Sequence, residues 1–252
     1  MSDFTGKVAV ITGGGKGLGA DAGKAFATAG AAVVLADIDA DAAAAVAATI
    51  TDSGGRALAH TADVGDPDQA RTMAAAAVEN FGGIDYLFAN AGVQHYGTVL
   101  STEPDEWNAL LRTNLTSVYL SMKYCAERMI ERGGGAIVAT ASVQGLQSQS
   151  DVSPYATSKG GIIALSRASA IDLAPHGIRV NSISPGTIRT PLAGGDDPEA
   201  NYARSAAGHV LKRIGEPEEV AALVLFLCGE QAGFITGANY VIDGGLTIKL
   251  PI

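Results

Sequence analysis

The chain has 252 residues, 47% of them apolar, and its 26 acidic side chains outnumber 17 basic ones to give a net charge of −9. This acidic balance, without any Lys/Arg-rich run, argues against a nucleic-acid partner. Two cysteines, Cys125 and Cys228, stand far apart without a Cys-x-x-Cys motif, which predicts reduced, buried thiols in a cytoplasmic protein. The first residues lack a signal-peptide pattern and no apolar run reaches membrane-spanning length, so we expect no membrane partner.

Short β-branched runs alternate with longer, Ala-rich helical segments along the chain. Strands apolar throughout suit a parallel sheet that is covered on both faces. The alternation predicts one α/β domain over residues 1–252, a doubly wound Rossmann fold whose seven-stranded parallel sheet has helices on both faces. The predicted strands are residues 8–12, 32–36, 56–62, 84–89, 136–141, 178–183 and 239–242. The predicted helices are residues 17–30, 40–53, 68–81, 104–132, 154–174 and 217–228.

Residues 188–210 depart from this alternation. A Gly-Gly-Asp-Asp-Pro sequence at 194–198 breaks any periodicity there. Such a stretch inside an otherwise regular domain is typical of a functional loop. We therefore predict a loop with a short helix that covers the substrate.

The first predicted strand runs directly into a glycine-rich turn at residues 12–19. Glycines allow a sharp turn and let the backbone approach a diphosphate at the N-terminus of the following helix. The spacing of Gly13, Gly17 and Gly19 predicts a dinucleotide site, with a ligand-free turn as the alternative. Lys16 is followed by glycine rather than Ser or Thr, which excludes an ATP-binding P-loop.

The second predicted strand ends at Asp37, which lies 20 residues after Gly17. A carboxylate at this distance accepts hydrogen bonds from the adenosine ribose and repels a 2′-phosphate, which predicts NAD as cofactor rather than NADP. Lys16 indicates the opposite, because a cation in the glycine turn can bind a 2′-phosphate. We give Asp37 more weight, since a carboxylate–phosphate contact is costly. A simple turn former is the alternative interpretation of Asp37.

The next two predicted strands also end in residues suited to a ligand. Asp63 is a candidate acceptor for the adenine amino group, and Val64 is a candidate to pack against the adenine ring. The fourth strand ends in the small residues Asn90, Ala91 and Gly92, which leave room for a ligand at the carboxyl end of the sheet.

Tyr155 and Lys159 lie four residues apart at the start of a predicted helix, where they share one face. Ser153 is the expected N-cap of this helix and Pro154 its first residue. An ammonium group beside a phenol favours the phenolate, which predicts a Tyr155 pKa lowered from about 10 toward neutrality. The same spacing also occurs in ordinary surface pairs.

Together these residues resemble the short-chain dehydrogenase/reductase family over nearly the full length of the chain. Ser142 precedes Tyr155 by 13 residues, the usual interval in that family, whereas Ala89 stands where the family commonly has a second Asn. The motifs that match are the glycine turn from Thr12 to Gly19, Asp63, Asn90-Ala91-Gly92, Asn114, Ser142, Tyr155-x-x-x-Lys159, Pro185-Gly186 and Thr190.

The resemblance implies roles for the catalytic residues. Tyr155 would be the general acid/base, Lys159 would bind the nicotinamide ribose, and Ser142 would hold the substrate oxygen. Asn114 would anchor a water in a proton relay to Lys159, whereas from the sequence alone it could equally be a mid-helix residue facing solvent. The residues expected to bind the cofactor are Gly13, Lys16, Gly17, Leu18, Gly19, Asp37, Ile38, Asp63, Val64, Asn90, Ala91, Gly92, Tyr155, Lys159, Pro185, Gly186, Ile188 and Thr190.

The resemblance also implies a homotetramer built on the two long helices at 104–132 and 154–174. These segments are apolar on more than one face and need burial on several sides. The apolar segment 246–252 is a further candidate subunit contact. No histidine has partners at metal-ligand spacing, so we expect no catalytic metal.

Several polar residues are candidates to bind the substrate. Gln94 and His95 follow the Asn-Ala-Gly turn, and Gln144 and Gln149 lie on the loop between Ser142 and Tyr155, although a solvated loop explains them too. Amides both donate to and accept from hydroxyls, which favours a sugar or sugar acid. Arg189 is a candidate partner for a substrate carboxylate, with a solvent-facing side chain as the alternative.

These features predict an NAD(H)-dependent oxidoreductase that transfers a hydride between the nicotinamide and a secondary alcohol or ketone, with a sugar or sugar acid as small-molecule substrate. A dehydrogenase or reductase of a cyclic or aliphatic hydroxyketone is the alternative. A non-catalytic dinucleotide sensor on the same fold is a third possibility. The presence of Ser142, Tyr155 and Lys159 together argues against a sensor.

Overall fold

The computed structural model describes residues 3–248, and within them seven strands form one sheet. Their bounds are Val8–Thr12 (β1), Ala32–Asp37 (β2), Arg56–Thr61 (β3), Tyr86–Ala89 (β4), Gly135–Thr140 (β5), Ile178–Pro185 (β6) and Asn239–Ile242 (β7). Every neighbouring pair is parallel, and the strand order is β3-β2-β1-β4-β5-β6-β7. The seven predicted strands are confirmed, although β4 begins two residues later than predicted and β6 continues two residues further.

Helices connect the strands. Their bounds are Gly17–Thr28 (α1), Ala40–Asp52 (α2), Pro67–Phe81 (α3), Pro104–Leu111 (α4), Ser117–Glu131 (α5), Ser153–Leu173 (α6), Pro191–Gly194 (α7), Pro198–Gly208 (α8) and Pro217–Cys228 (α9). A π-helical turn, Arg112–Thr116, joins α4 to α5, so the predicted helix at 104–132 is continuous but changes its hydrogen-bond pattern in the middle.

Two hydrophobic clusters cover the two faces of the sheet, as a doubly wound fold requires. Along β1, Val8 and Val10 face the cluster formed with α3, α5 and α6. Ala9 and Ile11 face the opposite cluster, formed with α1, α2 and α9. Successive side chains on a strand point to opposite faces, so a strand covered on both sides is apolar at every position. This is why the uninterrupted apolar runs predicted the parallel sheet correctly.

The strand order reverses between β1 and β4. In an open parallel sheet, ligands bind at the carboxyl ends of the strands on either side of such a reversal. Thr12 ends β1 and Ala89 ends β4, which places the glycine turn and the Asn-Ala-Gly turn beside each other.

Helix α6 begins differently from the prediction that Ser153 is its N-cap. Ser153 is the first helical residue, and the N-cap is Val152 with φ −134°. Val152 pairs with Gly97 in an isolated β-bridge, and the Ser153 amide donates to the Gly97 carbonyl oxygen at 3.0 Å. The bridge fixes Val152 as the N-cap, so the helix starts one residue earlier than predicted, and it ties residues 93–97 to the chain just before Tyr155.

The predicted loop at 188–210 contains two helices, α7 and α8, rather than one. Among residues 3–248, no helix is long and apolar enough to cross a bilayer, and no three His, Cys, Asp or Glu side chains gather as metal ligands would. Tyr119 on α5 and Ile171 on α6 are exposed, and the homotetramer stays a prediction. Of the predicted contact segment 246–252, residues 249–252 lie outside the described part of the chain.

Candidate active site

Asn90 joins the ends of three strands at the reversal. Its backbone amide donates to the Thr12 hydroxyl at 2.9 Å, as does the Ala91 amide at 3.0 Å. Its side-chain amide donates to the Thr12 carbonyl oxygen at 3.3 Å, and its side-chain oxygen accepts from the Thr140 hydroxyl at 3.1 Å. Asn90 therefore fixes the floor of the predicted dinucleotide site by holding β1, β4 and β5 in register.

The glycine turn has the geometry of an anion cradle. Gly13 and Gly17 have φ values of +65° and +52°, where a side chain would be strained. A Cβ atom on Gly19 would overlap the Gly13 carbonyl oxygen. The N-cap of α1 is Lys16, which offers no side-chain acceptor to the first-turn N–H groups. Those donors suit a diphosphate, so the residues present fit a dinucleotide.

Asp37 is held firmly at the end of β2. Its carboxylate accepts from the Gly15 amide at 2.9 Å and from the Asp39 amide at 3.0 Å. Lys16 instead pairs with the Asp39 carboxylate at 2.6 Å, which raises the pKa of Lys16 and lowers that of Asp39. The Lys16 ammonium is thus neutralised by Asp39, and Ile38 is 73% exposed between the two acidic residues.

Asp63 has a partner that the sequence does not reveal. Its carboxylate accepts from the Arg112 guanidinium at 2.7 Å and from the Gly65 amide at 2.9 Å. Burial raises the pKa of Asp63, but the bonds from Arg112 and Gly65 lower it, with a net decrease. Val64 is 6% exposed and belongs to the core cluster on one face of the sheet. The predicted adenine contacts of these two residues remain predictions.

Asn114 lies in the π-helical turn and is fully buried, so the interpretation as a solvent-facing residue is wrong. Its side-chain oxygen accepts from the Val93 amide at 2.8 Å. Its amide nitrogen donates to the Val93 carbonyl oxygen at 2.9 Å and to the Ser158 hydroxyl at 3.3 Å. A Cβ atom on Gly92 would lie 3.2 Å from the Asn114 side-chain oxygen and 3.6 Å from the Lys159 ammonium nitrogen. Asn114, Gly92 and Lys159 therefore form one cluster.

Lys159 is buried with its charged end inside the protein. It is 4% exposed, and its Nζ donates to the Thr140 carbonyl oxygen at 2.8 Å. Nζ lies 5.5 Å from the centre of the Tyr155 ring. Burial lowers the pKa of Lys159 to about 8, because removing an ammonium group from water disfavours its charged form.

The pKa of Tyr155 differs from the sequence-based expectation of a value near neutrality. Burial raises the pKa of Tyr155 to about 12, against a lowering contribution from the Ser142 hydroxyl. Lys159 does not offset the burial, because its own pKa of about 8 leaves it uncharged at the high pH where a phenol with a pKa of about 12 ionises. Tyr155 is therefore a neutral phenol at physiological pH, suited to donating a proton.

Two loops meet around Tyr155 and carry the predicted substrate residues. The Gly97–Val152 bridge joins residues 93–97 to the end of the 142–152 loop. Gln94 and Gln144 each have a fully buried amide atom, Nε2 and Oε1 respectively, without a hydrogen-bond partner among the described residues. These are the strongest indications of a polar ligand beside the catalytic residues, because buried polar groups are nearly always paired.

The other candidates differ in their surroundings. His95 is half-buried, and a Cβ atom on Gly97 would lie 3.3 Å from its Nε2. Gln149 is exposed on its loop. Arg189 pairs with the Glu216 carboxylate at 3.2 Å, and its guanidinium lies 4.8 Å from the centre of the Tyr202 ring. Arg189 is thus already engaged within the chain, and its contact with a substrate carboxylate remains a prediction.

The loop after β6 closes over the glycine turn. Pro185 ends β6, and the Gly186 amide donates to the Ile242 carbonyl oxygen at 2.9 Å. Ile188 is buried and pairs with Gly215 in an isolated bridge. A Cβ atom on Gly17 would lie 3.2 Å from the Thr190 methyl carbon. The loop after β6 and the glycine turn, which both carry predicted cofactor-binding residues, are therefore neighbours.

Sequence reasoning missed Arg112, Ser158, Tyr202 and His209, which all contact predicted site residues. Arg112 lies two residues before Asn114, and Ser158 lies one residue before Lys159. Neither spacing is a sequence motif by itself. Tyr202, Ser205 and His209 have a helical spacing that could have indicated one face of a helix, although not what it packs against.

Comparison with known proteins accords with this geometry. Residues 13–247 match a family model described as enoyl-(acyl carrier protein) reductase. A crystal structure of a short-chain type dehydrogenase/reductase from Mycobacterium marinum superposes with a TM-score of 0.92 and 40% identity over 98% of both chains. The chain belongs to the short-chain dehydrogenase/reductase family. The resemblance noted from the sequence motifs is thereby confirmed.

Named relatives within this family identify the reaction type. Cyclohexanol dehydrogenase of an Acinetobacter species is 40% identical over 249 residues, which cover 98% of this chain and 97% of the relative. L-rhamnose 1-dehydrogenase (NAD(P)⁺) of a Sphingomonas species is 35% identical over 257 residues, which cover 99% of this chain and 100% of the relative. As a short-chain dehydrogenase/reductase with such relatives, the chain is an oxidoreductase that acts on a CH–OH group with a nicotinamide cofactor.

Proposed function

We propose that this short-chain dehydrogenase/reductase uses NAD(H) and acts on a secondary alcohol of a ring that carries further hydroxyl groups, as in a neutral sugar or cyclic polyol. The observation that carries the proposal is the pair of buried, unpartnered amide atoms of Gln94 and Gln144 on the two loops beside Tyr155. Each glutamine side chain carries an NH₂ group that donates and an oxygen that accepts, and rotating the amide only exchanges their positions.

A buried polar group without a hydrogen-bond partner destabilises the folded protein by about 1–3 kcal/mol. A ligand that supplies the missing hydrogen bond removes this penalty, and the gain contributes to its binding free energy. A hydroxyl both donates and accepts, so a neighbouring hydroxyl of the substrate can satisfy either amide. An apolar substrate leaves both groups unpaired. Sites built in this way discriminate strongly against analogues that lack the hydroxyl.

A neutral substrate is favoured over a sugar acid. Arg189 was the candidate partner for a carboxylate, but it pairs with Glu216 and stacks on Tyr202. Asp37, whose carboxylate has no basic partner among its hydrogen bonds with the described residues, also gives the cofactor side of the site a negative character, which does not attract an anion. Of the two substrates predicted from the sequence, we therefore propose a neutral sugar and not a sugar acid.

A second candidate is a ring alcohol without further hydroxyls. It is favoured by the 40% identity with a protein named as a cyclohexanol dehydrogenase. Val93, Leu146 and Leu192, which lie within three residues of Gln94, Gln144 and Arg189 in the chain, are exposed apolar side chains of the kind that such a ring would contact.

The two candidates are separated by replacing Gln144 with Leu, which removes the amide and keeps an apolar side chain of similar size. We expect kcat/KM for a cyclic polyol to fall about 10-fold, the effect of losing one hydrogen bond in a closed site. Cyclohexanol, measured on the same variant, is the internal control and should keep its kcat/KM. A wild-type enzyme that prefers cyclohexanol, or a variant that loses both activities equally, contradicts the polyol proposal.

In the proposed mechanism the bound nicotinamide supplies or accepts the hydride. Tyr155 gives its phenolic proton to the substrate oxygen in ketone reduction and takes the hydroxyl proton in alcohol oxidation. The Ser142 oxygen accepts from the Gln144 backbone amide at 3.1 Å, which orients the Ser142 hydroxyl toward Tyr155, where it can donate to the substrate oxygen and stabilise negative charge there. Lys159, oriented by the Thr140 carbonyl oxygen, keeps a positive charge beside the phenol.

The preference for NAD is attributed to Asp37, and its replacement by Asn tests this. Asn keeps the shape and an oxygen that can accept from the Gly15 amide, but removes the negative charge that opposes a 2′-phosphate. We expect the ratio of kcat/KM values for NADP and NAD to rise by about 10-fold, equivalent to about 1.4 kcal/mol. The exposed Asp52, at the far end of α2, provides the control variant Asp52→Asn. A wild-type enzyme that prefers NADP would overturn the proposal.

A further inference from the structure

Helix α8 turns one face toward the loop that follows β6. Tyr202 and Ser205 lie three residues apart on one face of α8, and His209 is the C-cap residue that follows the helix. The Tyr202 hydroxyl donates to the Thr190 carbonyl oxygen at 2.9 Å. The His209 ring accepts from the Thr187 amide through Nε2 at 3.3 Å. These two contacts hold both ends of the 187–190 segment, with Ile188 between them.

The hydrogen bonds of His209 define which nitrogen carries the proton. Nδ1 lies 2.8 Å from the Ser205 carbonyl oxygen, which can only accept, so Nδ1 is the donor. Nε2 is then left as the acceptor that the Thr187 amide requires. The side chain is 2% exposed and both of its nitrogens are used. His209 is thus a fixed bridge between α8 and the loop.

The ring also packs closely against the loop backbone. A Cβ atom on Gly186 would lie 3.0 Å from the His209 Nε2 and 2.9 Å from the Asp243 Cα. Gly186 is therefore held between the imidazole on one side and the turn after β7 on the other. A loop confined in this way keeps one backbone conformation, which is the condition for presenting its atoms to a ligand in a fixed direction.

We propose that His209 is a positioning residue that sets the loop at 186–190 for the nicotinamide carboxamide, acting through the Thr187 amide. This inference rests on the proposed function and on the prediction from the sequence that Ile188 and Thr190 bind the cofactor. His209 does not touch the reacting atoms. Its effect is on the direction in which the nicotinamide ring faces the substrate, where small displacements have large consequences for rate.

The test compares His209→Asn with His209→Gln. The amide nitrogen of Asn reaches the place of Nδ1 and keeps the bond to Ser205, but Asn has no atom at the place of Nε2. Gln is long enough to place its amide oxygen where Nε2 accepts from Thr187. A role in packing alone predicts similar behaviour for the two variants, whereas a positioning role predicts that Gln rescues what Asn loses.

Three readouts are measured: hydrogen exchange of the 186–190 segment without dinucleotide, the Kd for NADH by fluorescence, and steady-state kinetics. For His209→Asn we expect exchange of the segment and the Kd for NADH each to rise about fivefold, the effect of one hydrogen bond. We also expect kcat to fall while KM for the alcohol stays within about twofold. His209→Gln should stay near the wild type, as should the control His176→Asn at an exposed histidine.

Equal exchange, Kd and kcat in the Asn and Gln variants, with wild-type binding intact, overturn the positioning role. A wild-type protein that binds neither NADH nor NADPH overturns the proposed function itself, and the inference with it. If both His209 variants unfold, Tyr202→Phe is the second test, since it removes only the hydroxyl that donates to Thr190. It should raise exchange of the same segment, and unchanged exchange contradicts the proposal.

Discussion

Replacing Tyr155 with Phe is expected to lower kcat by about 10²–10⁴-fold, the usual contribution of a positioned general acid or base. Phe fills the same space, so the buried packing of Tyr155 with Leu110 and Val152 is retained. The lost hydroxyl is the only group expected to exchange a proton with the substrate oxygen. The Kd for NADH should stay within about twofold, because the glycine turn and Asp37 are untouched.

This prediction has a matched control on the surface. Tyr119 on α5 is 49% exposed, and Tyr119→Phe removes a hydroxyl without touching the site. That variant should keep its turnover. Full activity of Tyr155→Phe, or loss of NADH binding together with turnover, would contradict the assigned role.

Because the pKa of Tyr155 is raised, ketone reduction and alcohol oxidation are expected to depend differently on pH. A phenol with a pKa of about 12 is protonated throughout the physiological range and is ready to protonate a ketone. Alcohol oxidation needs a proton acceptor, which the same phenol becomes more readily as pH rises. The Ser142 hydroxyl lowers the pKa of Tyr155, whereas Lys159, with a pKa of about 8, is uncharged at the pH where the phenol without ligand would ionise.

The parts of this structure that were predictable from the sequence are those encoded by neighbouring residues. The β1 strand and the glycine turn are adjacent in the chain, and their chemistry is visible as an apolar run followed by glycines. Asp37 ends the next strand, and its distance from Gly17 reflects the regular length of one helix and one strand. Such features depend on local propensity and periodicity, which tertiary contacts did not override.

What escaped prediction depends on residues far apart in the chain. Arg112 and Asp63 are 49 residues apart, and the Lys16–Asp39 pair forms only because the glycine turn and α2 meet at the edge of the sheet. Asn114 lies in a π-helical turn whose hydrogen-bond pattern has no signature in the sequence. The pKa of Tyr155 was misjudged because the sequence shows the nearby lysine but not the depth of burial.

Lys159→Met is expected to abolish most of the activity and yet to stabilise the protein. Burial lowers the pKa of Lys159 from 10.5 to about 8, so the folded state holds this charge at a cost of about 3 kcal/mol below pH 8. Met has a similar length and no charge. Because the Thr140 carbonyl oxygen loses a donor, we expect a net gain of about 1–3 kcal/mol in the free energy of unfolding at pH 7, measured without dinucleotide.

The pH dependence separates this explanation from a simple packing effect. Between pH 8 and pH 10.5 the folded wild type has released the Lys159 proton while the unfolded chain still binds it. Wild-type stability relative to Lys159→Met therefore rises with pH in this window, and the difference between the two proteins shrinks toward pH 10.5. Denaturant unfolding at pH 7, 9 and about 10.5 measures it. Two outcomes would contradict this prediction: a variant less stable than the wild type at pH 7, or a stability difference that is independent of pH. Either would show that burial of the Lys159 charge does not lower the free energy of unfolding by the amount that the lowered pKa implies.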